Sequence, residues 1–322
     1  MRAIRAAQTG DPEVMKVEEL PTPAPGPGEV LVRVEAAGVN FIDIYQRSGA
    51  YKVPLPFAPG LEGAGIVEAV GEGVRDVAPG LRVAWCAAPG SYASHVRVPA
   101  EKAVPVPASI DGRIAAAAML QGLTAHYLTH TTYPLRPGDT CVIHAGAGGV
   151  GLLLTQMAKA AGARVIATVS TEAKAELSRG AGADVVVLYT RDDFVAATHA
   201  ATGGRGAQVV YDSVGQTTFD AGLRALAPRG VMVLYGQSSG PVPPFDPQRL
   251  AAGGSLFLTR PTLVHFTRTR EELLGRSRDL FGWIEGRALS VRIGATFPLA
   301  EAAAAHRALA SRATTGKVLL LP

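Results

Sequence analysis

The chain is poor in cysteine, in aromatic residues and in charge. Its 322 residues include two cysteines, Cys86 and Cys141. Two thiols exclude a disulfide framework and a cysteine-rich zinc lobe, and they point to a reducing, cytoplasmic location. Charged residues make up 18% of the chain and the net charge is +4. The bases are scattered rather than clustered, so neither a nucleic-acid groove nor a membrane surface is indicated. The opening Met1-Arg2-Ala3-Ile4-Arg5 lacks the apolar core of a signal peptide. Residues 114–135 and 140–158 contain no Asp, Glu, Lys or Arg, yet Gly, Thr, Gln and His interrupt both. They read as buried helices and strands rather than membrane spans. The remainder is globular in composition, with 48% apolar residues and enough length for two domains, each with its own core.

What stands out is Cys141 to Gly162. A short apolar strand, Cys141-Val142-Ile143-His144, runs into Gly146-Ala147-Gly148-Gly149-Val150-Gly151, and an apolar helix pattern follows through Leu152, Leu153 and Met157. Gly146 would permit a tight turn, Gly148 would let backbone approach a pyrophosphate, and Gly151 would let helix and strand pack closely. The helix start would offer its free N–H groups and positive dipole end to the phosphates. A second strand, 164–169, completes a βαβ unit, the context that a dinucleotide site requires.

The first hundred residues suggest a compact, barrel-like β domain, with strands over 30–36, 64–71, 81–85 and 91–98. Helical runs follow at 112–119 and 122–128. From Cys141 onward strands alternate with helices, and six candidates (141–144, 165–169, 184–188, 207–212, 230–235 and 255–259) describe an α/β fold with a doubly wound parallel sheet. The tail offers an amphipathic helix from Thr269, an alanine-rich helix over 299–311 and a strand over 317–321. These fit a return to the first domain.

In sum the chain resembles the medium-chain dehydrogenase/reductases, and among them the zinc-free NADPH:quinone oxidoreductases of the zeta-crystallin type. The resemblance spans nearly the whole length. It rests on the stretch Ala37 to Tyr51, on Gly60-Leu61-Glu62-Gly63-Ala64-Gly65, on Gln121-Gly122-Leu123-Thr124-Ala125 and on the glycine loop. Further matches are 210–215, 236–240, Thr259-Arg260-Pro261 and 311–317. It implies a GroES-like catalytic domain over 1–121 and 261–322 and a Rossmann domain over 122–260. It also implies a homodimer built through the last, apolar strand of the nucleotide-binding sheet, since an uncovered edge invites pairing.

Two absences gain meaning beside that resemblance. Where the zinc-bearing alcohol dehydrogenases place Cys and His ligands, this chain has Asn40 and Leu61, which do not ligate zinc usefully. Without a Lewis acid, alcohol oxidation loses its activation route, whereas hydride transfer to a quinone or an activated alkene remains open. An NAD site would carry Asp or Glu at the end of the second strand, but this chain reads Thr168-Val169-Ser170-Thr171, with Lys174 one turn further on. The resemblance implies that Ser170, Lys174, Tyr189 and Arg312 grip the 2′-phosphate of NADPH. It adds Ser213, Gly236, Ser238 and Arg260 to the cofactor contacts.

The nicotinamide is expected in the interdomain cleft. Asn40, Tyr45 and Tyr51 would come from the first domain, with Gln121 and Thr124 near the hinge. An amide or phenol there can hydrogen-bond a quinone oxygen as negative charge develops on it. Asp43 reads as a local hydrogen-bonder, His144 as core and the two cysteines as inert buried thiols. Two other functions compete. One is reduction of α,β-unsaturated carbonyls; the other is the non-enzymatic structural or RNA-binding role reported for zeta-crystallin relatives.

Overall fold

The computed structural model describes all 322 residues. It divides into two units, Met1–Leu123 with Thr267–Pro322, and Thr124–Phe266.

The first unit is built on β-structure. Strands β1 (Arg2–Ala6) and β2 (Met15–Glu19) pair antiparallel. Strands β3 (Glu29–Val39), β4 (Glu62–Val70), β5 (Arg82–Cys86), β6 (His95–Pro99) and β7 (Val104–Pro105) belong to a seven-stranded sheet. Alternation in β3 sends Val30, Val32 and Val34 into a core with Val67, Val83, Trp85 and Val98. The Trp85 indole N–H, buried there, donates to Ser91 Oγ at 2.9 Å. β6 is shorter than the alternation over 91–98 predicts because the backbone of 91–94 bonds elsewhere. Tyr92 N–H donates to the Pro59 carbonyl at 3.1 Å and Ser94 N–H to the Arg2 carbonyl at 2.8 Å. Helix α1 (Phe41–Ser48) leaves β3 directly and ends at Gly49, whose φ of 85° closes it in the left-handed region. The two helical runs expected over 112–128 are one element, α2 (Gly112–Tyr127).

The second unit contains a six-stranded, all-parallel sheet. Its strands are β8 (Thr140–Ile143), β9 (Arg164–Val169), β10 (Val185–Leu188), β11 (Ala207–Asp212), β12 (Leu226–Leu234) and β13 (Phe257–Thr259), in the order β10-β9-β8-β11-β12-β13. Helices α3 (Gly149–Ala160), α4 (Glu172–Gly180), α5 (Phe194–Ala201) and α6 (Phe219–Ala225) lie between successive strands, and α7 (Gln248–Ala252) precedes β13. This is the doubly wound order, whose strand reversal falls between β8 and β11. Burial explains the unbroken apolar runs: Cys141, Val142, Ile143, Val165, Ile166 and Ala167 are all fully enclosed. β13 is shorter than 255–259. Ser255 is in the left-handed region at φ 58°, and Leu256 turns into the core with its N–H on the Leu250 carbonyl.

The tail rejoins the first unit. Helix α8 (Arg270–Glu285) starts on a capping box, with Thr269 Oγ accepting from Glu272 N and the Glu272 carboxylate accepting from Thr269 N, both at 3.2 Å. Then come β14 (Ile293–Pro298), α9 (Ala302–Ala310) and β15 (Lys317–Leu321). β15 lies between β14 and β3, with Leu319 opposite Gly38. The last residues of the chain therefore complete the sheet that the first hundred begin.

Candidate active site

Because the six strands are parallel, their carboxyl ends share one edge, and the predicted cofactor residues of this unit follow those ends. After β8 the chain turns at Ala145, whose φ is 54°. This corrects the role expected of Gly146, because the left-handed residue is the alanine before it. Glycine is needed next for space. A Cβ on Gly151 would lie 2.3 Å from the Ala145 carbonyl oxygen and 2.9 Å from Gly146 Cα. Helix α3 thus starts against the loop itself, with Gly148 as its N-cap and Gly149 and Val150 in its first turn. The free N–H groups at such a start are the donors a pyrophosphate requires.

The neighbouring loops are laced to this edge. Gly146 N–H donates to the Thr168 carbonyl at 3.0 Å. Past β11, the buried Asp212 carboxylate accepts from Val214 N at 2.7 Å, Gly215 N at 3.0 Å and Thr218 Oγ at 2.8 Å. Past β12, Gly236 N–H reaches the Asp212 carbonyl at 3.2 Å and Ser238 N–H the Ser213 carbonyl at 3.1 Å. Asp212, inside the matching stretch 210–215, thus shapes the Ser213 loop.

At the end of β9 no carboxylate points forward. Lys174 Nζ, half-buried on α4, lies 3.4 Å from Ser170 Oγ. Glu172 is turned along its own helix to Arg179 at 2.6 Å. Tyr189 N–H bonds the Val169 carbonyl, and its side chain is 48% exposed. Arg260 follows β13 and is exposed. Arg312 belongs to the other unit, where it is exposed on the turn after α9 with a φ of 58°. The glycine cradle, the donor-rich helix start and the cation beside a hydroxyl fit a dinucleotide carrying a 2′-phosphate.

The first unit gathers its predicted residues around α1. Asn40 is 5% exposed and precedes the helix; its backbone N–H donates to Asp43 Oδ2 at 2.8 Å. The rings of Tyr45 and Tyr51 lie 5.2 Å apart, joined also by the Tyr51 N–H on the Tyr45 carbonyl at 2.9 Å. Gln121 is half-buried on α2. Thr124, in the second unit, is 6% exposed. Asp43 is wholly buried and, besides the Asn40 N–H, accepts the Tyr92 hydroxyl at 3.0 Å. Burial pushes its carboxyl up to about 7, against the opposing pull of those two donors. Tyr92 Oη in turn lies 3.1 Å from His306 Nε2. Burial holds that imidazole down at about 3, so it is neutral at pH 7.

Sequence reasoning gives no role to four of these groups, Glu62, Tyr92, His306 and Lys317, although Glu62 and Lys317 lie in the matching stretches 60–65 and 311–317. Lys317 Nζ donates to Asn40 Oδ1 at 2.7 Å and also to Glu62 Oε2; Asn40 Nδ2 donates to Glu62 Oε2 at 2.8 Å. A further signal is a lysine opening the otherwise apolar strand 317–321. His144 is core, with Nδ1 2.9 Å from Thr168 Oγ and its ring edge-on to Phe194. Burial pushes the Cys86 and Cys141 thiols up to about 12, which keeps both protonated and unreactive at neutral pH. No three His, Cys, Asp or Glu side chains converge as a metal site would require.

Two family models match the chain. Residues 26–108 match the alcohol dehydrogenase GroES-like domain, and residues 149–277 match the zinc-binding dehydrogenase. Together with the cradle, these define a two-domain, nicotinamide-dependent oxidoreductase. A quinone oxidoreductase of Pseudomonas aeruginosa is 46% identical over 100% of this chain and 99% of its own. A 2-haloacrylate reductase of Burkholderia is 42% identical over 97% of this chain and 96% of its own. A mycobacterial protein solved in complex with NADPH is 52% identical and superposes with a TM-score of 0.98, covering both chains completely. The chain belongs to the quinone oxidoreductase family of the medium-chain dehydrogenase/reductases.

Proposed function

We propose that the protein reduces quinones with NADPH, without a metal ion. The observation that carries this reading is the end of β9, where a lysine lies beside a serine hydroxyl and no carboxylate stands where the 2′-phosphate would. The similarity to a quinone oxidoreductase and to an NADPH complex supports it. NADPH, when bound, supplies the hydride. The chain's own residues bind, orient and exclude water. The helix start at Gly149 takes the pyrophosphate; Ser170, Lys174, Tyr189 and Arg312 take the 2′-phosphate; Ser213, Gly236, Ser238 and Arg260 line the remainder. Asn40, Tyr45, Tyr51 and Thr124 form the acceptor side, where phenol and amide groups stabilise charge developing on a quinone oxygen. Asn40 and Leu61 leave no ligand set for zinc, so an acceptor that is already electrophilic is the substrate class that remains.

A second reading, reduction of α,β-unsaturated carbonyl compounds, is favoured by the similarity to a 2-haloacrylate reductase. NADPH oxidation against a panel of quinones and enones, with and without a chelator, tests both. Quinone turnover unchanged by chelation is the expected result. Turnover of enones alone would establish the second reading, and activity lost on chelation would overturn the metal-free one. No helix is long and apolar enough to cross a membrane. A cytoplasmic homodimer completes the proposal, with the edge strand β13, whose Phe257 is 60% exposed, as its seam.

A further inference from the structure

Glu62 opens β4 at 0% exposure, and its carboxylate accepts three N–H donors. They are Lys317 Nζ, Asn40 Nδ2 at 2.8 Å and the backbone N–H of Leu120 within α2 at 2.6 Å. Lys317, 1% exposed, also reaches Asn40 Oδ1 at 2.7 Å. The sheet makes room for this pair. Gly38 on β3 is opposite Glu62 on one side and Leu319 on the other. A Cβ at Gly38 would stand 2.2 Å from Glu62 Oε2 and 2.7 Å from Lys317 Cε. Any other residue there would push into the ion pair.

Stability does not account for such a pair. Taking two charges out of water costs about as much as their attraction returns, and apolar replacements of similar volume are often neutral or stabilising. Orientation does account for it. The ammonium faces the carbonyl end of the Asn40 side chain and the carboxylate faces its NH2 end. A flip of the amide would set NH2 against NH3⁺ and oxygen against carboxylate. The same carboxylate holds the Leu120 N–H, one residue before Gln121.

We infer that Glu62 and Lys317 are positioning residues for acceptor reduction: they lock the Asn40 carboxamide in one orientation and tie it to the α2 segment that carries Gln121. The inference rests on the proposed reading, in which Asn40 belongs to the acceptor side. It explains why two charges lie buried where packing alone needs none.

The decisive variant is the double substitution Glu62→Met/Lys317→Met, which removes the pair without leaving an unpaired charge. Its thermal midpoint and NADPH affinity should match wild type, while kcat for a benzoquinone falls about ten- to a hundredfold, the effect of a misaligned group. A double variant with wild-type kcat overturns the inference, as does a loss of kcat that only follows a loss of folded protein. Should the double variant fail to fold, Glu62→Gln keeps the volume but cannot accept all three donors, and the same split between kcat and NADPH affinity is expected. Asn40 is the chain's only asparagine, so selective 15N-asparagine labelling gives a single side-chain amide to observe. Its two protons should be distinct and slowly exchanging in wild type, and averaged or fast-exchanging in the variants. Unchanged amide signals would refute the clamp. Absent quinone turnover in wild type would instead strike the proposed function, leaving the clamp to be judged on the amide signals.

Discussion

Substituting Asn for Asp43 should change how the protein's stability responds to pH, through two buried groups of opposite sign. Asp43 titrates at about 7 in the folded chain against an ordinary 3.8. Between those values the folded state holds a proton that the unfolded state has lost, so its contribution is full below 3.8 and falls as pH rises through 7. His306 is the reverse case, about 3 when folded against 6.5. There the unfolded state holds the extra proton, so stability is gained as pH rises from about 3 toward 6.5. From pH 4.5 to 7, Asp43 should withdraw roughly 3 kcal/mol while His306 returns an amount of the same order. The two oppose each other, and they share Tyr92 as a hydrogen-bond neighbour. In D43N the histidine acts alone. At roughly 2 °C per kcal/mol, the thermal midpoint of D43N should climb on the order of 5 °C relative to wild type across that interval. The assay is calorimetry of both proteins, free of cofactor, from pH 4.5 to 7. Titrations common to both drop out of the difference. A difference that stays constant with pH would refute a carboxyl titrating near neutrality and leave Asp43 as a helix-capping group alone.

Lys174→Ala should weaken NADPH binding about tenfold and leave NADH binding nearly unchanged, since on the proposed reading the half-buried cation 3.4 Å from Ser170 Oγ meets the 2′-phosphate, which NADH lacks. Titration with each cofactor reads this directly, and equal losses for both would transfer Lys174 to the shared pyrophosphate or to the fold. The same contact is ionic, so the wild-type preference for NADPH should shrink as salt rises. Phe257→Asp, on the exposed edge strand, should convert a dimer to monomer in sedimentation velocity at micromolar concentration. A wild type that sediments as monomer would remove β13 as a seam.

The parts of this protein that were legible from sequence are those whose determinants are local. Strand β8, the glycine loop and α3 occupy twenty-odd consecutive residues, and each obeys a short-range rule: an apolar run, a close approach, a free helix start. The alternation of strands and helices through β13 was legible for the same reason, and it fixed a parallel sheet because short loops leave helical crossovers no other topology. Errors came where backbone groups were spent on distant partners. Ser91, Tyr92 and Ser94 look like strand, but their N–H groups go to Gly60, Pro59 and Arg2. Ser255 and Leu256 carry strand composition yet form the turn that seats Leu256 in the core. The turn after β8 falls on Ala145, while Gly146 leaves room for Ala167 on β9 and Ser178 on α4, which a Cβ there would meet at 2.8 and 2.9 Å.

The site divides along the same line. Ser170 and Lys174 are four residues apart on one strand end and one helix, so spacing alone brings them together. Lys317 and Glu62 are 255 positions apart, and only the insertion of β15 beside β3 makes them neighbours. That insertion has a functional consequence. On the proposed reading the acceptor side begins with Asn40 early in the chain, and the amide of that residue is held by a lysine five residues before the carboxyl end. Shortening the chain by its final strand would therefore remove more than an outer ladder. Glu62 would be left as a buried carboxylate with no counter-charge, the destabilising case of a broken ion pair, and the Asn40 amide would lose the ammonium that holds its oxygen.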